Sequence, residues 1–276
     1  MEPVRKAVRT LLSAVHFGLG WLPGKPPDDV RILLYHRINT LEGDPVAVRP
    51  EAFARQMSYL AGNFRVIRLG DLLEGVNGSI TFRRAAVITF DDGYRDALEH
   101  AVPILTHMGL PACFFISTGL LGTDRRIPGE PDGMIFPKME WADIEGLAEQ
   151  GFEIGAHSVH HVSLGNTDPD GAIDEILRSK RDLEGGIGRP VRYFSYPFGR
   201  PEDIPRDNQV HGVLRDNFDL CCTGYRGPNI QGQLNPFHLH RVSIRGAFGF
   251  LEFKAELAGV FDFYNRRENY LTRRSS

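Results

Sequence analysis

The segment His157-Ser158-Val159-His160-His161 sets two imidazoles four residues apart. That spacing places both on one side of a helical turn, as a shared metal ion requires. Neutral imidazole is the commonest protein ligand for a metal, and His160 falls on another side of such a turn as a bystander. Earlier in the chain, Thr89-Phe90-Asp91-Asp92-Gly93 offers two adjacent carboxylates. Successive strand residues face opposite ways, so both acids reach one ligand only if the chain turns; Gly93 permits such a turn with positive φ. Taken singly, Asp-Gly is also ordinary turn chemistry, and a histidine pair is also ordinary polar surface. Taken together, two imidazoles and a carboxylate with a position left for water describe a catalytic rather than a structural metal site. The chemistry open to such a site is metal-assisted hydrolysis.

These residues need a frame that gathers strand ends. Apolar runs rich in β-branched or aromatic residues predict strands at Val30–Tyr35, Phe64–Leu69, Ala85–Phe90, Ala112–Ile116, Phe152–Ala156, Val191–Tyr196, Phe218–Thr223 and Leu239–Ile244. Helical spacing alternates with them. Pro50 opens a helix with Phe53, Met57 and Leu60 on one face, and a second runs from beyond Gly93 to Gly109, with a kink or break at Pro103. A third covers Trp141–Gln150; a fourth starts at Asp168-Pro169 and stops before Gly185-Gly186. Leu121–Pro137 reads as an extended loop. The alternation predicts a parallel α/β fold, an irregular (β/α) barrel with helices outside, or alternatively a doubly wound open sheet. In either, chemistry belongs at the C-terminal strand ends. Those ends deliver His36, Asp91 and Asp92, His157, and Pro197-Phe198-Gly199 to one rim.

The 276 residues carry 42% hydrophobic and 24% charged residues, values of a folded globular chain. A net charge of -3 and dispersed basic residues argue against a nucleic-acid partner. The three cysteines, Cys113, Cys221 and Cys222, show neither a zinc spacing nor a disulfide framework, which favours a reduced compartment. Residues 1–27 form an N-terminal amphipathic segment, 28–250 the catalytic domain, and 251–276 a C-terminal helical tail. Arg5, Lys6 and Arg9 precede the apolar stretch Leu11–Leu22, too short to span a bilayer and lacking an A-x-A-like cleavage site. Residues 1–22 therefore read as a helix packed on the domain or as a peripheral membrane contact. The expected location is cytoplasmic or at the inner face of the membrane, with export left open.

Three motifs carry a resemblance. Thr-Phe-Asp-Asp-Gly at 89–93, His-Ser-x-x-His ending at 161, and Arg192-Tyr-Phe-Ser-Tyr-Pro-Phe-Gly199 occur in the order and spacing of the polysaccharide deacetylases, carbohydrate esterase family 4 with the NodB-homology domain. The likeness covers roughly residues 30–245, and Leu33–Ile38, Leu-Leu-Tyr-His-Arg-Ile, resembles the branch acting on exopolysaccharides such as poly-N-acetylglucosamine. The resemblance implies that Asp92, His157 and His161 hold one divalent metal ion, zinc first, with cobalt, nickel, iron or manganese as alternatives. It implies Asp91 as general base, kept ionised by Arg192, and the Phe198 backbone N–H as oxyanion donor next to Tyr196 and Pro197. The acid that protonates the leaving amine is His36 or, second, His240; the family's late Leu-x-His motif is replaced here by Phe237-His238-Leu239-His240-Arg241. Trp141, Phe136, Tyr196 and Phe198 are candidates for a sugar-stacking platform, and the 121–137 loop for a cover over the groove.

The implied activity is removal of N-acetyl groups from amino sugars of a polysaccharide or glycan precursor. A second enzymatic reading keeps the site and takes a lipid-linked amino sugar bearing acetyl or formyl. A third, a glycan-binding module without turnover, is disfavoured because Asp91, Asp92, His157 and His161 are all retained.

Overall fold

The computed structural model describes residues 8–15, 29–76 and 82–262. Among these residues, nine strands form one sheet: β1 (Asp29–Tyr35), β2 (Arg65–Val66), β3 (Ala85–Phe90), β4 (Cys113–Ile116), β5 (Glu153–Ala156), β6 (Tyr193–Ser195), β7 (Leu220–Cys222), β8 (Asn229–Ile230) and β9 (Val242–Ser243). Their order is β7-β6-β5-β4-β3-β1-β8, with β2 beside β3 and β9 beside β1. Every pairing is parallel except that of β8 with β1. The sheet curls until the segment 239–243 spans its two ends. On one side Leu239 bridges Cys222, and on the other Val242 and Ser243 pair with Leu33 and Leu34. This is the α/β fold of parallel strands with helices outside that the alternation of elements predicts, and its irregular barrel takes the form of a strongly curled, mostly parallel sheet.

The helices lie outside: α1 (residues 8–15), α2 (Pro50–Asn63), α3 (Leu72–Val76), α4 (Val102–Met108), α5 (Trp141–Glu149), α6 (Pro169–Ile187), α7 (Asn208–Asn217) and α8 (Phe250–Leu257). At Pro103 the expected interruption takes the form of a change of helix type rather than an end of the helix. The proline occupies the first turn of α4, where no N–H is needed, and a π-helical turn at Ala97–Ala101 joins it to the preceding chain. Asp168 caps α6 through Gly171 N as expected, but the helix runs past Gly185-Gly186 to a left-handed Gly188. α8 crosses the expected boundary between domain and C-terminal tail, and it buries Phe253 and Leu257 in the same core as Phe53 and Met57 of α2. Residues 1–7, 16–28 and 263–276, parts of the expected terminal segments, lie outside the described residues.

Strand alternation divides the apolar residues into two cores. Leu33, Tyr35, Ile88, Phe90, Phe114, Ile154 and Phe194 face outward and pack under the helices. Val30, Ile32, Val87, Phe115, Tyr193, Leu220, Cys222 and Leu239 fill the space enclosed by the sheet. The same inward register continues past these residues into Thr89 and Asp91, Ser117, His157 and Ser195, so the interior changes from apolar to polar towards the strand ends. All three cysteines are buried and unbridged.

Candidate metal centre

The strand β3 ends at Phe90, and the chain turns at once, with φ of 75° at Asp92 and 73° at Gly93. The turn therefore begins one residue before the glycine, and it keeps both carboxylates at the barrel mouth. Across β4, the end of β5 delivers His157. The donor atoms of Asp92, His157 and His161 all lie within 4.8 Å of one another, and all three residues are buried. Asp92 Oδ1 stands 3.3 Å from His157 Nε2 and 3.1 Å from His161 Nε2.

The histidines meet by a route the spacing did not reveal. Residues 157–161 form no helical turn. Ser158 and His161 instead adopt left-handed backbone, at φ of 59° and 54°, and fold the loop until the rings lie 5.0 Å apart. With Asp92 and Phe198, they account for four of the five non-glycine residues with positive φ among the described residues. Each such residue costs of order 1–3 kcal/mol, and strain of this kind collects where a site fixes geometry.

Hydrogen bonding sets the donors. His157 Nδ1 lies 2.7 Å from the Ser195 carbonyl, which can only accept, so Nδ1 carries the proton and Nε2 turns a lone pair towards Asp92. Asp92 Oδ1 is buried without a hydrogen-bond partner. The His157 lone pair and the Asp92 carboxylate facing one another in a buried space, with His161 Nε2 on the third side, are repulsive unless a positive charge lies between them. The residues thus fit one divalent cation, by both donor type and orphaned oxygen.

Asp91 has a different partner from the one expected. Arg192 stands at the start of β6, the opposite end of the barrel from the mouth, where it is exposed and pairs with Asp219. Arg241, on the segment that closes the sheet, points into the barrel. It donates to Asp91 from Nη1 at 2.7 Å and from Nη2 at 2.6 Å, and also to Ser195 Oγ at 2.7 Å and the Thr223 carbonyl at 2.9 Å. Burial opposes ionisation of Asp91, and this guanidinium overrides it and lowers the pKa. The signal for Arg241 was present in the sequence: alternation from Leu239 turns a charged residue inward within a strand. Asp91 Oδ2 is 3.8 Å from His157 Nε2, so the two acids serve one locus by different means.

The remaining expectations divide. His36 follows β1 at the mouth, where burial lowers its pKa while Asp92 and Asp91 pull the other way. Its Nδ1 is buried with no hydrogen-bond partner. His240 faces the wrong way: its backbone N–H donates to Asn229 Oδ1, and its side chain turns away from Arg241 towards Tyr225 and His238. Phe198 adopts φ of 60° on the turn after β6, with its ring 4.6 Å from that of His161. Pro197 is buried in that turn and its carbonyl accepts from Gly199 N. At Gly199, φ is 65° and an added Cβ would fall 2.1 Å from Gly224 N, so only glycine lets this turn dock on the chain after β7. Tyr196 does not reach the mouth; it is buried in the outer core with its hydroxyl towards the Phe237 carbonyl. Nor do Trp141 and Phe136 form a platform, since Trp141 packs on Gly186 of α6 and Phe136 lies buried under the Arg37 guanidinium.

Residues 79–213 match the polysaccharide deacetylase family. YxkH of Bacillus subtilis (strain 168), a protein carrying the same family name, is 25% identical over 245 residues, which is 88% of this chain and 81% of that protein. Among solved structures, IcaB from Ammonifex degensii has a TM-score of 0.67 at 23% identity, covering 84% of this chain and 97% of that one. The deacetylase PplD of Streptococcus pyogenes, solved in complex with acetate, has a TM-score of 0.66 at 20% identity, covering 80% of this chain and 94% of that one.

Proposed function

The chain belongs to the polysaccharide deacetylase family, and on that premise we propose that it removes N-acetyl groups from N-acetylglucosamine-type amino sugars of a polysaccharide or glycan precursor. The observation that carries this reading is the convergence of the Asp92, His157 and His161 donor atoms within 4.8 Å, beside an Asp91 held by Arg241. Those three residues would hold one divalent ion, zinc first, with cobalt, nickel, iron or manganese compatible with the same donors. When bound, such an ion supplies Lewis acidity, acidifying a water and polarising the acyl carbonyl. Asp91 takes the proton of the attacking water, because Arg241 keeps it ionised and fixes the direction of both oxygens. The Phe198 amide, on the left-handed turn beside His161, donates to the acyl oxygen as negative charge develops there. His36 hands a proton to the departing amine.

The test is release of acetate from chito-oligosaccharides and poly-N-acetylglucosamine, with metal content measured in parallel. Asp92→Ala is expected to lose the metal. Asp91→Asn is expected to keep it and to lose turnover by about 10²–10⁴-fold. Full metal content in Asp92→Ala would overturn the division of labour between the two acids.

A lipid-linked amino sugar bearing acetyl or formyl is the second reading, and α1 favours it. Arg9 turns inward onto Glu252 and Glu256, while Val8 and Leu11 remain 41% and 63% exposed. An uncharged outward face suits a membrane surface, and a location at the inner face of the membrane goes with this reading. No helix among the described residues is long and apolar enough to cross a membrane. Formate or acetate release from a lipid-linked sugar supports this reading, and activity confined to free oligosaccharides removes it.

A further inference from the structure

We infer that Glu175 is a positioning residue for the metal centre, holding the His157–His161 loop in its ligating shape from the outside. The inference rests on the metal-site reading above. Between the two ligating histidines lie Ser158, Val159 and His160, and this stretch is held from two sides. On the outer side, Glu175 Oε2 accepts the N–H of Val159 and of His160, each at 2.9 Å, while Oε1 lies 2.6 Å from His160 Nδ1. On the other side, the carbonyls of Ser158 and Val159 accept from Thr118 N at 3.3 Å and Gly119 N at 2.8 Å.

Both clamps return to one element. Glu175 lies on α6, and Asp182, two turns further along the same helix, accepts from Thr118 Oγ1 at 3.1 Å. Helix α6 is 19 residues long, capped at both ends and packed through Ala172, Ile176 and Leu183, so it is a rigid reference for the loop. The loop itself lacks any helical or strand ladder, and left-handed Ser158 and His161 give it no local preference for the ligating shape. Two charge-assisted backbone contacts and one side-chain contact from Glu175 supply that preference. His160, the residue between the ligands that carries no metal donor, is thereby given a function: its ring and N–H are the handle by which α6 holds the loop.

The carboxylate is 12% exposed and touches neither the ligating nitrogens nor the mouth. Its removal should therefore act on metal affinity rather than on chemistry. Partners that orient ligands from behind change metal affinity about 10–100-fold when lost.

The test is isothermal titration of chelated, refolded protein with zinc ions, alongside thermal unfolding of the metal-free form. Glu175→Ala is expected to weaken zinc binding about 10–100-fold. Glu175→Gln, whose carbonyl oxygen can still accept both backbone N–H groups, should recover most of it. His160→Ala, which removes the ring contact and spares the backbone pair, should fall between. Unchanged zinc affinity in folded Glu175→Ala would overturn the inference while leaving the metal centre intact. If Glu175→Ala does not fold, His160→Ala and Glu175→Gln still decide, since equal affinity for His160→Ala and wild type counts against the handle. Failure of the wild type to bind zinc, or any divalent ion offered in its place, would instead remove the metal-site reading on which the inference depends.

Discussion

A carboxylate inside a barrel either takes up a proton or acquires a counter-charge. Asp91 has the Arg241 guanidinium across two hydrogen bonds, with both residues almost fully buried. Removing one partner of such a pair leaves the other charge stranded, at a cost of about 3–5 kcal/mol. Arg241→Met is therefore expected to lower stability, and burial, no longer opposed by the guanidinium, then raises the Asp91 pKa. The sign follows from the present arrangement. A depressed carboxylate pKa gives stability that is present above the unfolded value and is lost as pH falls through the folded one. In Arg241→Met that contribution shrinks, and it reverses once the folded pKa exceeds the unfolded one, so the variant loses stability as pH rises rather than as it falls; the acidic limb of kcat/KM should move up. The double variant Arg241→Met, Asp91→Asn carries no stranded charge and should melt at a higher temperature than Arg241→Met alone, though inactive. If the double variant melts no higher than the single one, the pair does not govern Asp91.

At the scale of elements, α6 shows what local sequence does and does not specify. Its start was legible because Asp168 and Pro169 are themselves the cap and first turn. Its end was not, because Gly185-Gly186 looks like a stop when neighbours in sequence are the only ones considered. In the fold, an added Cβ at Gly186 would lie 2.7 Å from the Trp141 ring of α5, whereas one at Gly185 meets nothing within 4 Å. The two glycines are predicted to respond oppositely to alanine. Gly185→Ala should stabilise by about 0.5–1 kcal/mol through helix propensity, and Gly186→Ala should destabilise by about 1–3 kcal/mol through overpacking. Chemical denaturation of the two variants separates these outcomes, and like signs would count against the packing account. The metal centre divides in the same way. Which residues converge was readable from strand ends and histidine spacing. The left-handed loop at 157–161 was not, because it depends on Glu175; the partner of Asp91 was signalled only as an inward charge at Arg241, and its pairing depends on closure of the sheet.

For the whole molecule, the candidate cation site brings together two strand ends that are not neighbours. Asp92 follows β3 and His157 follows β5, with β4 between them. Beneath that mouth the barrel is filled by its own apolar residues and covered by helices on a second, larger core, so the fold does not depend on the ion for a core. A ligand that binds only the folded chain nevertheless stabilises it by mass action, about 2.7 kcal/mol at a hundredfold excess over its Kd. For a domain of this size each kcal/mol moves Tm by roughly 2–4 °C. Zinc added to chelated protein should therefore raise Tm by roughly 5–10 °C, from a metal-free form that is already cooperative. Asp92→Ala should show no such shift, because it lacks the carboxylate facing both imidazoles. Glu175→Ala should show the same shift only at higher zinc, because its ligands are intact but not preset. A wild-type Tm indifferent to every divalent ion tried, or an Asp92→Ala variant that shifts as the wild type does, would mean that these three side chains do not share a cation.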